Sequence, residues 1–216
     1  MEKNYWLSHW EKDDVKFHQA EVNASLRTCY PLLELKSEDT ILVPLCGKSL
    51  DMLWLQQQHL QVVGAELSEK ACRDFFEEND LEYSKKQESA FTVYQANHIE
   101  LFSGDFFELQ KNQVGSIKAV YDRAAMIALP LNYRQRYVDK LIELTAPGAK
   151  ILLISLESRH QPETPPFVIN ESEIFGYYQK YFKIQVLEKI PERTPHLIAK
   201  GYDDMHSVVY LLTRKQ

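Results

Sequence analysis

Two phosphate-binding signatures are missing from this chain. A P-loop requires Gly-x-x-x-x-Gly-Lys-Ser/Thr, and a dinucleotide fingerprint requires Gly-x-Gly-x-x-Gly. The turn with the right setting, Pro44-Leu-Cys-Gly-Lys-Ser49, holds one glycine, Gly47. A pyrophosphate-binding oxidoreductase is therefore disfavoured, and Lys48 reads as an ordinary exposed lysine. Basic clusters are missing too. The net charge is −6, and no Lys/Arg run exceeds pairs such as Lys85-Lys86. A nucleic-acid binder shows a basic face, so a small-molecule partner is favoured and no nucleic acid is expected. Long apolar runs are absent: the longest, near Ile151 to Leu156, is far too short to cross a bilayer. The N-terminus, Met1 to Trp6, has no apolar signal core. Cysteine is scarce. Cys29, Cys46 and Cys72 are odd in number and lack metal-ligand spacing, so they read as reduced thiols in a cytoplasmic protein. No metal is expected, from them or from Asp203, Asp204 and His206. With no repeat, low-complexity tract or linker, the 216 residues read as one domain, 1–216, and as a monomer with no membrane partner.

What is present is the front half of a nucleotide-binding βαβ unit. Thr40 to Leu45 reads as a strand, Cys46 to Ser49 as a turn, Leu50 to about Gln58 as a helix, and Gln61 to Glu66 as a second strand ending on an acid. Such a turn brings backbone N–H groups and a helix N-terminus to a ligand. A carboxylate about 20 residues further on accepts hydrogen bonds from ribose hydroxyls. Glu66 has that spacing. A structural βαβ with a solvated acid is the plain alternative.

Around this unit the pattern alternates. Tyr5 to Leu35 reads as helical, with a second stretch over Gln19 to Tyr30, and Trp6 and Trp10 share a helix face. A helix follows Glu66, capped by Ser68 and running to about Asn79. Phe91–Tyr94 and His98–Phe102 read as strands around an Ala96-Asn97 turn, and Ile117–Tyr121 as another, stopped by Asp122-Arg123. Tyr133 to Leu144 has a helical period. Lys150 to Leu156 reads as a buried strand, Glu171 to Phe182 as a helix, and Lys183–Lys189 and Ser207–Thr213 as closing strands. These elements predict an α/β doubly wound, mostly parallel sheet with an antiparallel edge. Ligands of such sheets lie beyond the strand C-terminal ends, where strand order reverses. Leu45, Glu66, Asp105, Asp122 and Arg123 all fall at such ends. S-adenosylmethionine has a ribose but no phosphate, so it fits a turn with one glycine. Asp105-Phe106-Phe107 is placed to meet its adenine, with a helix cap as the plainer alternative for Asp105.

The segments Trp6-x-x-x-Trp10, Phe17-His18, Val43-Pro-Leu-Cys-Gly-Lys-Ser-Leu-Asp-Met52, Gly64-Ala-Glu-Leu-Ser-Glu69, Tyr121-Asp-Arg-Ala-Ala-Met-Ile-Ala-Leu-Pro130 and Pro165-Pro-Phe167 occur in this order. Together they resemble the thiopurine S-methyltransferases, particularly the bacterial ones, over nearly the whole chain. The resemblance implies a seven-stranded Rossmann-like methyltransferase fold, with residues 1–35 as a helical cover over the active site. It also implies methyl transfer from S-adenosylmethionine, leaving S-adenosylhomocysteine, to small aromatic or heterocyclic thiols. A part in detoxifying sulfur, selenium or tellurium compounds would follow. Inorganic acceptors such as halide or thiocyanate, and a non-catalytic cofactor-binding regulator, are the alternatives.

Residue by residue, the resemblance places Trp10 over the methionine end of the cofactor and Leu45 against it at the turn. It places Glu66 on the ribose, and Asp105 and Phe106 beside the adenine. Arg123 falls where cofactor and acceptor meet, as the catalytic residue, and Phe17 in the acceptor pocket. Arg193 is a looser candidate on the acceptor side. Asp13 or Asp14 could assist proton removal through water. Cys46 reads as a small buried residue, not a nucleophile.

Overall fold

The computed structural model describes residues 3–15, 18–192, 198 and 202–216. They divide into two compact units, Met1–Val120 and Tyr121–Gln216.

The first unit opens with helix α1 (Lys3–Glu11) and helix α2 (Ala24–Cys29), which runs into a 3-10 turn at Tyr30–Leu33. The helix expected from Gln19 starts only at Ala24. Asn23 fixes that start: its side chain accepts the Leu26 N–H at 3.2 Å, while its own N–H donates to Asp51 Oδ1 at 2.8 Å. Chain held by such a cap cannot also be helical before it.

Then come β1 (Thr40–Pro44), α3 (Asp51–Gln57), β2 (Gln61–Glu66), α4 (Glu69–Glu78), β3 (Ser84–Glu88), β4 (Phe91–Ala96), β5 (Ile99–Ser103), α5 (Lys111–Val114) and β6 (Ile117–Arg123). Strand β1 lies between β2 and β6 and is parallel to both. Strand β5 continues parallel beside β2, and β4 and β3 follow antiparallel. Strand order therefore reverses at β1, which puts its C-terminal end at the switch point where ligands of such sheets bind. Ile41, Leu42, Val63, Ala65, Leu101 and Phe102 form the sheet's buried interior, and Phe75 and Phe76 pack from α4.

The second unit holds α6 (Leu131–Leu144), β7 (Thr145–Glu157), α7 (Glu171–Tyr178), β8 (Phe182–Pro191) and β9 (His206–Arg214). Strand β9 pairs antiparallel with β7 and with β8, and the latter ladder slips register between Val186 and Glu188. The doubly wound α/β class is as the pattern predicted. The described strands number nine where seven were expected, and the pairing is mixed.

Candidate functional site

The turn after β1 is built from two left-handed residues, Leu45 at φ 48° and Gly47 at φ 54°. Leucine adopts that conformation only where its surroundings impose it, a pattern that clusters at ligand sites. Part of the imposition comes from β2: Cys46 N–H donates to Ala65 O at 3.1 Å. A Cβ at Gly64 would stand 2.4 Å from Leu101 Cδ2 and 2.8 Å from Cys46 Sγ, so only glycine lets the turn settle this closely on β2. Gly64 gives the close approach that a further turn glycine gives in the dinucleotide fingerprint.

Glu66 ends β2 and is 7% exposed. Its Oε2 accepts the Gly47 N–H at 2.9 Å and its Oε1 accepts the Ser68 N–H at 2.8 Å. A carboxylate has about four lone-pair directions. Glu66 thus keeps acceptor capacity beyond these two bonds, which suits a hydroxyl donor. Burial raises the Glu66 pKa from its ordinary value, and backbone N–H groups of Ser68, Gly47 and Leu67 act against the rise.

Trp10, on the last turn of α1, is 3% exposed. A Cβ on Gly47 would lie 3.0 Å from its Cζ2, so the indole rests on the glycine turn. Trp6 is only half-buried. The chain leaving α1 is tied to α4 by Asp13, whose Oδ1 is 2.7 Å from Lys70 Nζ. That partner pulls the exposed Asp13 carboxyl below its ordinary value, which weakens it as a base.

Asp105 follows β5. Gly104 N–H donates to Glu66 O at 2.8 Å, which locks the segment carrying Asp105 to the end of β2. Asp105 Oδ1 caps the Phe106–Glu108 turn by accepting the Phe107 N–H at 3.0 Å, and Oδ2 pairs with Lys3 Nζ at 2.9 Å. Asp105 thus caps this turn through one oxygen and holds Lys3 through the other. Phe106 is buried against Phe107, edge to face at 5.8 Å. Trp10, Leu45, Glu66, Asp105 and Phe106 all belong to the first unit.

Lys48, expected to be exposed, has a side chain only 12% exposed and pairs with Glu78 at 2.6 Å. Cys46 is buried and its thiol is pushed well above its ordinary pKa by desolvation, so it is not a poised nucleophile.

In the second unit, half-buried Arg123 ends β6 and is followed by Ala124 at φ 65°. Asp122 is completely buried and turns away from solvent. Its Oδ1 accepts the Met126 N–H at 3.2 Å and its Oδ2 accepts the Tyr137 hydroxyl at 2.7 Å. Desolvation pushes its pKa up to about 6, and the two hydrogen bonds oppose the rise. Asp122 thus belongs to the scaffold. Asp204 accepts from Ser158 Oγ at 2.7 Å and from Arg159 N–H and Nε at 2.8 Å, a structural clamp between β7 and β9. Phe17 and Arg193 lie outside the described residues.

The sequence reading missed the ion pair of Lys3 with Asp105 and the seat of Trp10 on Gly47. No local spacing signals either, because each joins α1 to a distant strand end.

Comparison with known proteins fits this geometry. A family model described as Thiopurine S-methyltransferase (TPMT) matches residues 1–215. The chain belongs to the thiopurine S-methyltransferase family. A protein of Pseudomonas fluorescens named thiopurine S-methyltransferase is 45% identical over 187 residues, 86% of this chain and 84% of its own. One from Nitrosospira multiformis with the same name is 37% identical over 215 residues, 98% of each. Among solved structures, the Burkholderia thailandensis 1,6-didemethyltoxoflavin-N1-methyltransferase, with 1,6-didemethyltoxoflavin and S-adenosylhomocysteine bound, is similar with a TM-score of 0.67. It is 13% identical, and the match covers 99% of this chain and 87% of that one. Such low identity speaks for the methyltransferase fold alone. In this thiopurine S-methyltransferase family member the single-glycine turn accordingly stands within a methyltransferase scaffold.

Proposed function

We propose that the chain transfers the methyl group of S-adenosylmethionine to the sulfur of small aromatic or heterocyclic thiols, as a single-domain enzyme over residues 1–216 with residues 1–35 covering the active site. The observation that carries this reading is Glu66, buried at the end of β2, with Oε2 held by the Gly47 N–H and Oε1 by the Ser68 N–H and acceptor capacity left for a hydroxyl donor. Family membership over residues 1–215 supports it.

The cofactor supplies an electrophilic methyl on a positively charged sulfur. The chain must bind it, align the acceptor sulfur behind the methyl and exclude water. Glu66 takes the ribose hydroxyls, Asp105 and Phe106 hold the adenine, and Leu45 and Trp10 bound the methionine end. Arg123 favours the thiolate by charge and hydrogen bonding, and Phe17 lines the acceptor side. Aromatic thiols ionise substantially near neutral pH, so the proton leaves to solvent and no strong base is required. In the displacement the thiolate sulfur gains the methyl carbon, and the electron pair of the broken bond stays on the cofactor sulfur. The same chemistry extends to selenium and tellurium nucleophiles, which fits a detoxifying role in the cytoplasm.

Methyl transfer from labelled S-adenosylmethionine to 6-mercaptopurine tests the proposal. Transfer inhibited by S-adenosylhomocysteine is expected. Binding of S-adenosylhomocysteine without transfer to any thiol would overturn the acceptor assignment.

A further inference from the structure

The turn after Arg123 is held in an unusual way. Ala124 sits at φ 65°, a conformation that a residue with a side chain keeps only where its neighbours fix it. Besides the bonds of the turn with itself, Ala128 N–H to Ala125 O at 3.0 Å and Leu129 N–H to Met126 O at 3.1 Å, further hydrogen bonds hold it in place. Met126 N–H donates to Asp122 Oδ1 at 3.2 Å, which is local. Ile127 O accepts the Phe167 N–H at 2.7 Å. Leu129 O accepts Arg134 Nε at 3.2 Å.

The last two contacts share one organiser. Arg134, on α6, is 2% exposed. Besides Leu129 O, its guanidinium donates through Nη2 to Val168 O at 3.3 Å and through Nη1 to Glu173 Oε1 at 3.0 Å. Its Cζ lies 5.9 Å from the Phe167 ring centroid. Gln161 holds the same backbone from the other side, accepting the Val168 N–H at 2.8 Å and donating to Val168 O at 3.0 Å. Arg134 thus joins the end of the turn, the segment that pins its middle, and the first turn of α7.

An ion pair with a buried arginine is by itself poor evidence of a stabilising role, since apolar side chains of similar volume often serve as well. A planar fork that fixes three acceptors at once is what an arginine offers and an apolar residue does not. We infer that Arg134 is a positioning residue for the acceptor step: by fixing residues 124–129 against Phe167 and Val168, it sets how Arg123 is presented. This rests on the proposed role of Arg123.

The test is a mutant cycle in the full chain. Arg134→Lys keeps the charge and loses the fork. Glu173→Gln weakens the Arg134 pair, its single amide oxygen being shared with the Asn170 N–H that Glu173 Oε2 accepts at 3.4 Å. Arg123→Ala and Arg123→Ala/Arg134→Lys complete the set. The readouts are kcat/KM for 6-mercaptopurine, S-adenosylhomocysteine Kd by calorimetry, and thermal unfolding. Arg134→Lys is expected to lower kcat/KM about tenfold while changing the Kd no more than Arg123→Ala does. Glu173→Gln should give a smaller loss in the same direction. In the Arg123→Ala background, Arg134→Lys should cost less than about twofold, because it acts through a residue already removed.

A full loss in both backgrounds would make Arg134 merely structural and overturn the inference. So would an unchanged kcat/KM in folded Arg134→Lys. Should Arg134→Lys not fold, Glu173→Gln takes its place in the same cycle, with the same outcomes deciding. If Arg123→Ala itself left turnover unchanged, the reading of Arg123 would fall and this inference with it. A loss in Arg123→Ala with silent Arg134 and Glu173 variants would remove the inference alone.

Discussion

The indole of Trp10 lies so close over Gly47 that a methyl group there would stand 3.0 Å from its Cζ2. Gly47 is also left-handed, at φ 54°, and its N–H holds Glu66. One glycine therefore serves the turn, the aromatic cover and the acid together. Gly47→Ala should cost ~1–2 kcal/mol in backbone strain and displace Trp10. S-adenosylhomocysteine Kd should rise about tenfold or more, measured by calorimetry. Unchanged affinity would show that the indole does not bound the ligand.

Glu66→Gln exchanges one acceptor oxygen for an amide that faces a backbone N–H. A buried donor then loses its partner, at ~1–3 kcal/mol, and one ribose acceptor goes too. Kd for S-adenosylhomocysteine should rise about a hundredfold. Because the folded pKa of Glu66 is raised, the wild-type carboxylate takes up its proton earlier on acidification than a free glutamate. Affinity should therefore decline as pH falls towards that raised value and recover above it, and Glu66→Gln should lose this dependence. An identical pH profile in the two proteins would argue against Glu66 as the ribose acceptor.

Asp122→Asn bears on stability. The Asp122 pKa rises from 3.8 to about 6 on folding, so the folded state holds the proton more tightly. Its contribution to stability is greatest below 3.8 and is lost as pH rises to about 6. At 1.36 kcal/mol per pKa unit the loss is ~3 kcal/mol. Asparagine can still accept from Met126 and pair with Tyr137. Denaturant titrations should therefore show Asp122→Asn gaining on wild type across that window and holding the gain at neutral pH. Parallel stability curves would place the proton elsewhere.

Asp105→Asn separates two duties of one side chain. The amide oxygen can keep the cap on Phe107, while the pair with Lys3 and the negative charge are lost. Lys3 is largely exposed, so its pair contributes ~0–1 kcal/mol, and the unfolding temperature should hardly move. Affinity for S-adenosylhomocysteine should still fall about tenfold if Asp105 meets the adenine. A stability change without an affinity change would leave Asp105 as a cap only.

The βαβ core was legible because its signals are local. Strand β2 was read at both ends, and Ser68 was read as the cap that it is, accepting the Ala71 N–H at 3.2 Å. Strand β3 was not readable. Its residues, Ser84-Lys-Lys-Gln-Glu88, include no apolar side chain and are exposed or nearly so, and only pairing with β4 makes them a strand. The helix ending at Tyr178 was extended to Phe182 because Tyr181 and Phe182 continue its apolar pattern, yet Phe182 opens β8. At the candidate site, residues on strand ends were found by their position after apolar runs. The partners that reach across from α1 depend on tertiary packing and left no trace in spacing.

The bond from Gly104 N–H to Glu66 O joins two strands in register, with Glu66 opposite Ser103. The pairing thus sets where the chain that carries Asp105 leaves the sheet beside Glu66, the two acids proposed here for the adenine and the ribose. Side chains of a strand change face with every residue. Inserting one residue in β5 would shift that exit by one step of the alternation, whereas lengthening the chain beyond Asp105 would leave it in place. With Glu66 and Asp105 in their proposed roles, the two strands would act as a gauge for a nucleoside, so variation in what the enzyme methylates could accumulate elsewhere without recalibrating what it methylates with.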